Sequence, residues 1–154
     1  AHPSRRPVGP ARLFVSRPVS SGAKRALRND QELFEALAPL GFVRLDPGTR
    51  PFVDQVAMFS DAQMIVGAHG AGLTNVVYTR GPAAVVEIFR GNKVLPFYYN
   101  LSRQLGFRYE GVVAQDCHGG PEAPFAVSVD AVLAAVRRAG EGLNACGTEP
   151  ATAA

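Results

Sequence analysis

Cysteine is scarce. The chain has two in 154 residues, Cys117 and Cys146, and neither belongs to a Cys-x-x-Cys pair. That excludes a zinc knuckle and a dithiol redox motif. One disulfide in a secretory compartment and two reduced thiols in a cytosol both stay open. Long apolar runs are missing too. The longest stretch without an acid or a base, residues 62–79, holds Gln63, His69, Asn75 and three glycines, so it is no membrane span. The opening Ala-His-Pro-Ser-Arg-Arg is followed by no apolar block, which excludes a recognisable secretory signal. With Ala rather than Met at position 1, the sequence reads as a piece of a longer chain, any leader or anchor lying upstream. There is no Asp-x-Asp, no His-Glu-x-x-His and no Gly-x-Ser-x-Gly. These absences argue against a dedicated metal site and against a serine hydrolase.

Acid is nearly absent from the first thirty residues. Asp30 stands there against Arg5, Arg6, Arg12, Arg17, Lys24, Arg25 and Arg28, while the whole chain is only +3. A basic segment on a near-neutral body points to an anionic ligand, either nucleic acid or a phosphorylated small molecule. Phe14 is the only aromatic residue among those bases, so a stacking platform for single strands is poorly supported and no nucleic-acid partner is expected. Hydrophobic residues make up 47% and charged residues 19%, enough apolar material for one domain with a core.

The pattern divides the chain into an irregular leader (1–10), a folded body (11–139) and a flexible tail (140–154). Within the body, short apolar runs alternate with helical spacing. Residues 12–16, 42–45, 64–66, 84–88 and 107–114 read as strands. Asn29 is expected to cap a helix carrying Leu33, Phe34, Leu37 and Leu40, with Glu32 completing a capping box and Gly41 closing it. Phe52, Val56 and Phe59 mark a second helix, with Asp54 and Gln55 taken as surface groups. A short helix follows the third strand as far as Tyr78, another spans 95–105 up to Gly106, and Ser128 caps a last one. Arg137 and Arg138 are placed in the final turn of that last helix. Strand–helix alternation with continuously apolar strands predicts an α/β fold, a Rossmann-like three-layer α/β/α parallel sheet. Such sheets bind ligands outside the carboxyl ends of their strands.

The residues at those ends carry the functional signal. Val66-Gly-Ala-His-Gly-Ala-Gly-Leu-Thr-Asn75 puts small residues and free helix-opening amides after a strand, which suits a phosphate. Glycines needed only for a tight turn would look the same, but His69 is an odd choice for packing alone. Arg17 ends the first strand at the same sheet edge, and Arg25 follows in a Ser/Gly loop; arginine forks suit diphosphate oxygens. Glu87 lies inside an apolar strand, where a carboxylate needs a partner or a ligand hydroxyl. The bland partner for it is Arg90. Gly70, Gly72 and Glu87 also mimic a dinucleotide fingerprint, although Asn75 occupies its third glycine position. That leaves a dinucleotide-binding oxidoreductase domain, or a non-catalytic fragment, as alternatives.

The blocks Arg12-Leu-Phe-Val-Ser-Arg17, Arg25-x-Leu-x-Asn29, Leu40-Gly-Phe42, Asp54-Gln-Val-x-Met-Phe-Ser-Asp-Ala62, the 66–75 block and Val86-Glu-Ile88 occur in that order. Together they resemble the C-terminal half of the catalytic region of glycosyltransferase family 61, over roughly residues 11–110. Asn29-Asp30 stands where members often have Asn-Glu. The resemblance implies one half of a GT-B fold that binds a nucleotide sugar, usually a UDP-sugar, with inverting transfer to a glycan or protein acceptor. It implies no cofactor and no bound metal. Arg17, Arg25, His69, Gly70, Ala71, Gly72, Asn75 and Glu87 would be donor-binding, with His69 the candidate catalytic group. The N-terminal Rossmann-like domain, which commonly supplies the acceptor site, would be a further partner. The family's range also implies a Golgi or endoplasmic reticulum setting behind an upstream anchor in a eukaryote, or a cytoplasmic or inner-membrane one in a bacterium.

Overall fold

The computed structural model describes residues 9–91, 93–115 and 118–145. Five strands, β1 (Arg12–Val15), β2 (Val43–Leu45), β3 (Met64–Ala68), β4 (Ala84–Arg90) and β5 (Arg108–Ala114), form one sheet in the order β2-β1-β3-β4-β5. Every pairing is parallel. The helices are α1 (Asp30–Leu37), α2 (Phe52–Ser60), α3 (Phe97–Leu105) and α4 (Val129–Ala145). Strand alternation sends Phe14, Val66, Val86 and Val112 to one face, where Leu33 and Leu37 of α1 and Val132 and Val136 of α4 cover them. Leu13, Val15, Ile65 and Val85 face the other way, under Phe59 of α2 and Tyr98 of α3. The result is the expected three-layer α/β/α arrangement.

All of β3 and β4 is buried, as sequences that are apolar but for Glu87 and Arg90 lead one to expect, whereas the edge strands β2 and β5 expose part of their length. Chain order reverses between β1 and β3. The crossovers on either side of that point diverge and open a crevice above the strand ends, the usual ligand position in such sheets.

Several local expectations differ. Asn29 precedes α1 but its side chain makes no cap bond. Instead its amide exchanges two hydrogen bonds with the Val127 backbone, at 2.8 and 3.1 Å, and so ties the start of α1 to the segment before α4. The turn after β3, Ala71–Tyr78, is a 3₁₀ helix rather than an α-helix. The last helix runs on to Ala145, so residues 140–145 are not tail, and Leu143 packs against the core. Arg137 and Arg138 are therefore mid-helix, and Arg138 pairs with Glu110 of β5 at 3.0 Å. Gly41 and Gly106 end their helices in the left-handed region, and the Ser128 hydroxyl accepts from the Ala131 amide, as their positions predict. His2, Cys117 and Cys146 lie outside the described residues.

Candidate functional site

The site is built on the carboxyl ends of β1, β3 and β4. Arg17 follows β1. Its guanidinium crosses the strand-order reversal, and Nη1 donates to the His69 carbonyl at 2.9 Å. This contact explains Gly70. A Cβ there would lie 1.8 Å from Arg17 Nη1, so the guanidinium occupies the space that any side chain would fill. Gly67 and Gly72 have packing reasons instead: a Cβ on Gly67 would press on Leu73 and Val15, and one on Gly72 on Val15 and Pro47.

Arg17 is itself held from behind. Asp30, at the start of α1, is 2% exposed. Its carboxylate accepts from the Arg17 amide and from the Ser16 hydroxyl, both at 2.8 Å, and pairs with Arg44 of β2. Burial, and then the nearby Arg25 cation, lower the Arg17 pKa from its ordinary value. No carboxylate among the described residues pairs with the Arg17 guanidinium, which leaves it available to an external anion.

The turn after β3 has both of its carbonyls engaged. His69 O accepts from Arg17, and Gly70 O accepts from the Tyr98 hydroxyl at 2.7 Å and from the Leu73 amide at 3.0 Å. The N–H groups of Ala71 and Gly72 open the 3₁₀ helix and have no carbonyl partner within it. They border a cavity of about 220 Å³, lined also by Arg17, Ser21, Asp46 and Pro47.

His69 stands on the far side of the turn. Its ring stacks near Phe89 and Phe97, with centroids 5.5 and 6.1 Å away, and meets Tyr98 edge-on. Nδ1 lies 2.5 Å from Glu87 Oε1. The other oxygen of Glu87 accepts from the Tyr109 hydroxyl at 2.6 Å. Glu87 is thus paired with His69 and Tyr109, not with Arg90. A fully buried carboxylate that fixes one imidazole nitrogen leaves the other, Nε2, in a set orientation. Nε2 makes no hydrogen bond among the described residues.

Burial raises the Glu87 pKa, against hydrogen bonds from Tyr109 and His69 that lower it. The folded chain therefore holds this proton more tightly than the unfolded one. The protonated carboxyl stabilises the fold fully below the ordinary carboxyl pKa, and that contribution fades as pH rises through the raised value. Replacing Glu87→Gln removes it. Relative to this variant, wild type should gain stability as pH falls from 7 towards 4. Urea unfolding over that pH range reads the difference, and parallel curves would remove Glu87 as its source. The Tyr109 hydroxyl is pushed up strongly by burial and by the same carboxylate, so it stays a donor at every ordinary pH.

The remaining predicted residues divide. Arg25 comes to the same edge; its backbone is left-handed (φ 58°) and its amide bonds the Glu122 carbonyl at 2.9 Å. Asn75 is buried and does not face the cavity. Its amide donates to Gln55 Oε1 at 2.8 Å, and Gln55 Nε2 in turn reaches the Pro47 and Arg50 carbonyls, both at 2.9 Å. Asn75 holds the loop that forms the cavity's second wall, and Gln55 is a strut rather than a surface group. Asp30, Tyr98 and Tyr109 were not foreseen. Tyr109 had a detectable signal: Glu87 registers opposite Gly111, which has no side chain, so the next residue on that face, Tyr109, is its neighbour. Among the described residues no three His, Cys, Asp or Glu side chains converge as a metal set, and no helix is long and apolar enough to cross a membrane.

Known proteins resemble this chain in sequence over part of its length. The Beta-1,2-xylosyltransferase of Arabidopsis thaliana is 31% identical over 70 residues, which is 46% of this chain and 13% of that protein. The chain thus spans only a small part of that relative's length. The sequence pattern of the family described as Glycosyltransferase 61 matches residues 2–86. The match takes in Arg17, Arg25 and the whole His69 turn and stops one residue before Glu87. Covering more than half of the sequence, and containing the turn on which the site is built, it shows that this chain belongs to the Glycosyltransferase 61 family.

Proposed function

We propose that this chain binds the nucleotide-sugar donor of a glycosyltransferase, the donor being UDP-linked and the transfer inverting. The observation that carries this is the Arg17 guanidinium set against the 69–72 turn beside a cavity of about 220 Å³. The nucleoside fits the cavity at the strand-order reversal. The first phosphate of the diphosphate lies over the Ala71 and Gly72 amides within reach of Arg17. Guanidiniums and amides together neutralise a leaving diphosphate without a cation.

His69 serves the donor side. One proton is shared between Nδ1 and Glu87, so Nε2 can carry another and donate it to the diphosphate. In the transfer the acceptor hydroxyl oxygen attacks the anomeric carbon from the face opposite the leaving group. The carbon–oxygen bond to the diphosphate breaks, the acceptor proton passes to a base, and UDP departs. That base, and much of the site for the acceptor, a glycan or a glycoprotein, come from the N-terminal Rossmann-like domain of a GT-B pair.

Calorimetric titration with UDP and, separately, NADH tests the donor assignment. UDP should bind and NADH should not, and His69→Ala should weaken UDP about tenfold, the loss of one hydrogen bond to a charged group. Unchanged affinity in that variant, or NADH binding without UDP, would overturn it in favour of an oxidoreductase or a non-catalytic fold.

A further inference from the structure

Beyond the His69 turn, at the end of β4, lies a narrow crevice formed by Arg25, His69, Ile88, Arg90, Lys93 and Phe125. Arg90 is the last residue of β4 and is 5% exposed. Its Nη2 donates to the carbonyls of His118 and Gly119, at 3.2 and 3.1 Å. Its Nε–H is buried and has no acceptor among the described residues. Arg25 repeats the pattern across the crevice. Its Nη1 is 3.7 Å from Glu122 Oε1, and its Nε–H too is buried without an acceptor. Lys93 is exposed at the rim, fixed by its amide bond to the Arg90 carbonyl at 2.9 Å.

An unpaired buried N–H is costly, more so on a charged group. Holding Arg25 in the left-handed region (φ 58°) adds to the cost. The fold carries both costs at one point, beside the imidazole of the candidate site. The cavity is only about 10 Å³, room for one oxygen-sized group. A water there would accept the two hydrogen bonds but, among the described residues, would leave Arg25, Arg90 and Lys93 with Glu122 as their one carboxylate. One oxygen of an oxyanion answers both needs, while its other oxygens stay at the rim near Lys93 and His69.

We propose that this crevice is an oxyanion subsite that takes the sugar-side phosphate of a nucleoside diphosphate, with Arg90 and Lys93 telling diphosphate from monophosphate. The proposal rests on the nucleotide-sugar function above and adds two residues to it. It assigns the cavity by Arg17 to the nucleoside and the first phosphate, and the crevice to the second. His69 stands between them, beside the bridging oxygen of the diphosphate, and the carbon–oxygen bond that breaks lies beyond the second phosphate.

Calorimetry with UDP, UMP and inorganic phosphate tests it on wild type, Arg90→Lys and Lys93→Ala. Arg90→Lys keeps the charge and removes the Nε–H. Lys93→Ala alters an exposed side chain and leaves the core intact. Wild type should bind UDP at least about tenfold more tightly than UMP, and each variant should weaken UDP about tenfold while moving UMP less than about twofold. A UDP-to-UMP preference that falls in either variant supports the subsite, and one unchanged in both overturns it. If wild type binds neither nucleotide, the donor assignment fails by itself. Inorganic phosphate then decides the crevice: binding that is lost in Lys93→Ala upholds it, and no binding overturns it.

Discussion

Gly70→Ala should lower UDP affinity by roughly 100-fold, as much as Arg17→Ala, while leaving the protein about as stable as wild type. The added methyl touches no apolar side chain. It would sit 1.8 Å from Arg17 Nη1, and a guanidinium at the end of a flexible chain moves aside more easily than backbone. The glycine backbone at this point is extended, so alanine brings no conformational strain. What is lost is the bond from Arg17 to the His69 carbonyl and, with it, the orientation of the fork towards the diphosphate. Two charge-assisted hydrogen bonds to the ligand, each about 1.5–3 kcal/mol, set the size of the effect. The stability change should stay within about 1 kcal/mol, since no core contact is broken. Gly67→Ala is the contrast. Its methyl would press on Leu73 and Val15, so it should lower stability first. Should Gly70→Ala bind UDP as wild type does, the Arg17 guanidinium has no part in holding the donor.

This difference between glycines also shows what the sequence could and could not reveal. A run of small residues after an apolar strand announces a tight turn against a ligand or against packing. It does not say which glycine serves which purpose, because that depends on a side chain fifty-three positions earlier in the chain, Arg17 against Gly70. The strands were legible because β3 is buried and apolar along its whole length, and β1 and β4 are apolar apart from Arg12, Glu87 and Arg90. The cap at Asn29 was misread because Asn bonds any backbone close by, and here the nearest free groups belong to Val127, ninety-eight residues away. The end of α4 was misread because Ala and Gly after residue 139 resemble a tail in composition, while one apolar contact through Leu143 extends the helix. Glu87 was legible as a problem, a charge in a buried strand. Its solution was not, since both partners come from other strands, one through β3 and one through β5. Asp30 was overlooked for the opposite reason: an acid in the first turn of a helix is so common that it raises no question.

Asp30 nonetheless carries the largest expected effect on stability. Asp30→Ala should lower the unfolding free energy by about 3 kcal/mol, a fall in Tm of roughly 6–12 °C for a domain of this size. The carboxylate is 2% exposed and joins three elements: the Ser16 hydroxyl and Arg17 amide after β1, its own helix α1, and Arg44 on β2. Alanine leaves the Ser16 hydroxyl, itself 3% exposed, without this acceptor, and the Arg17 amide likewise. Arg44 suffers less. Its side chain is 29% exposed and still has Gln31 at 2.7 Å, so solvent and that amide replace part of what is lost. Asp30→Asn should cost less, about 1 kcal/mol, because its carbonyl can still accept from the Arg17 amide and its NH₂ can donate to the Ser16 hydroxyl, only the pair with Arg44 being lost. Urea unfolding of the three proteins reads this order. The same bonds fix the backbone from which Arg17 reaches the His69 turn, so UDP affinity in Asp30→Ala should fall several-fold at a temperature where the variant is fully folded. A variant that keeps wild-type stability but loses UDP binding 100-fold would make Asp30 a ligand contact instead, and the anchoring role assigned to it here would be wrong.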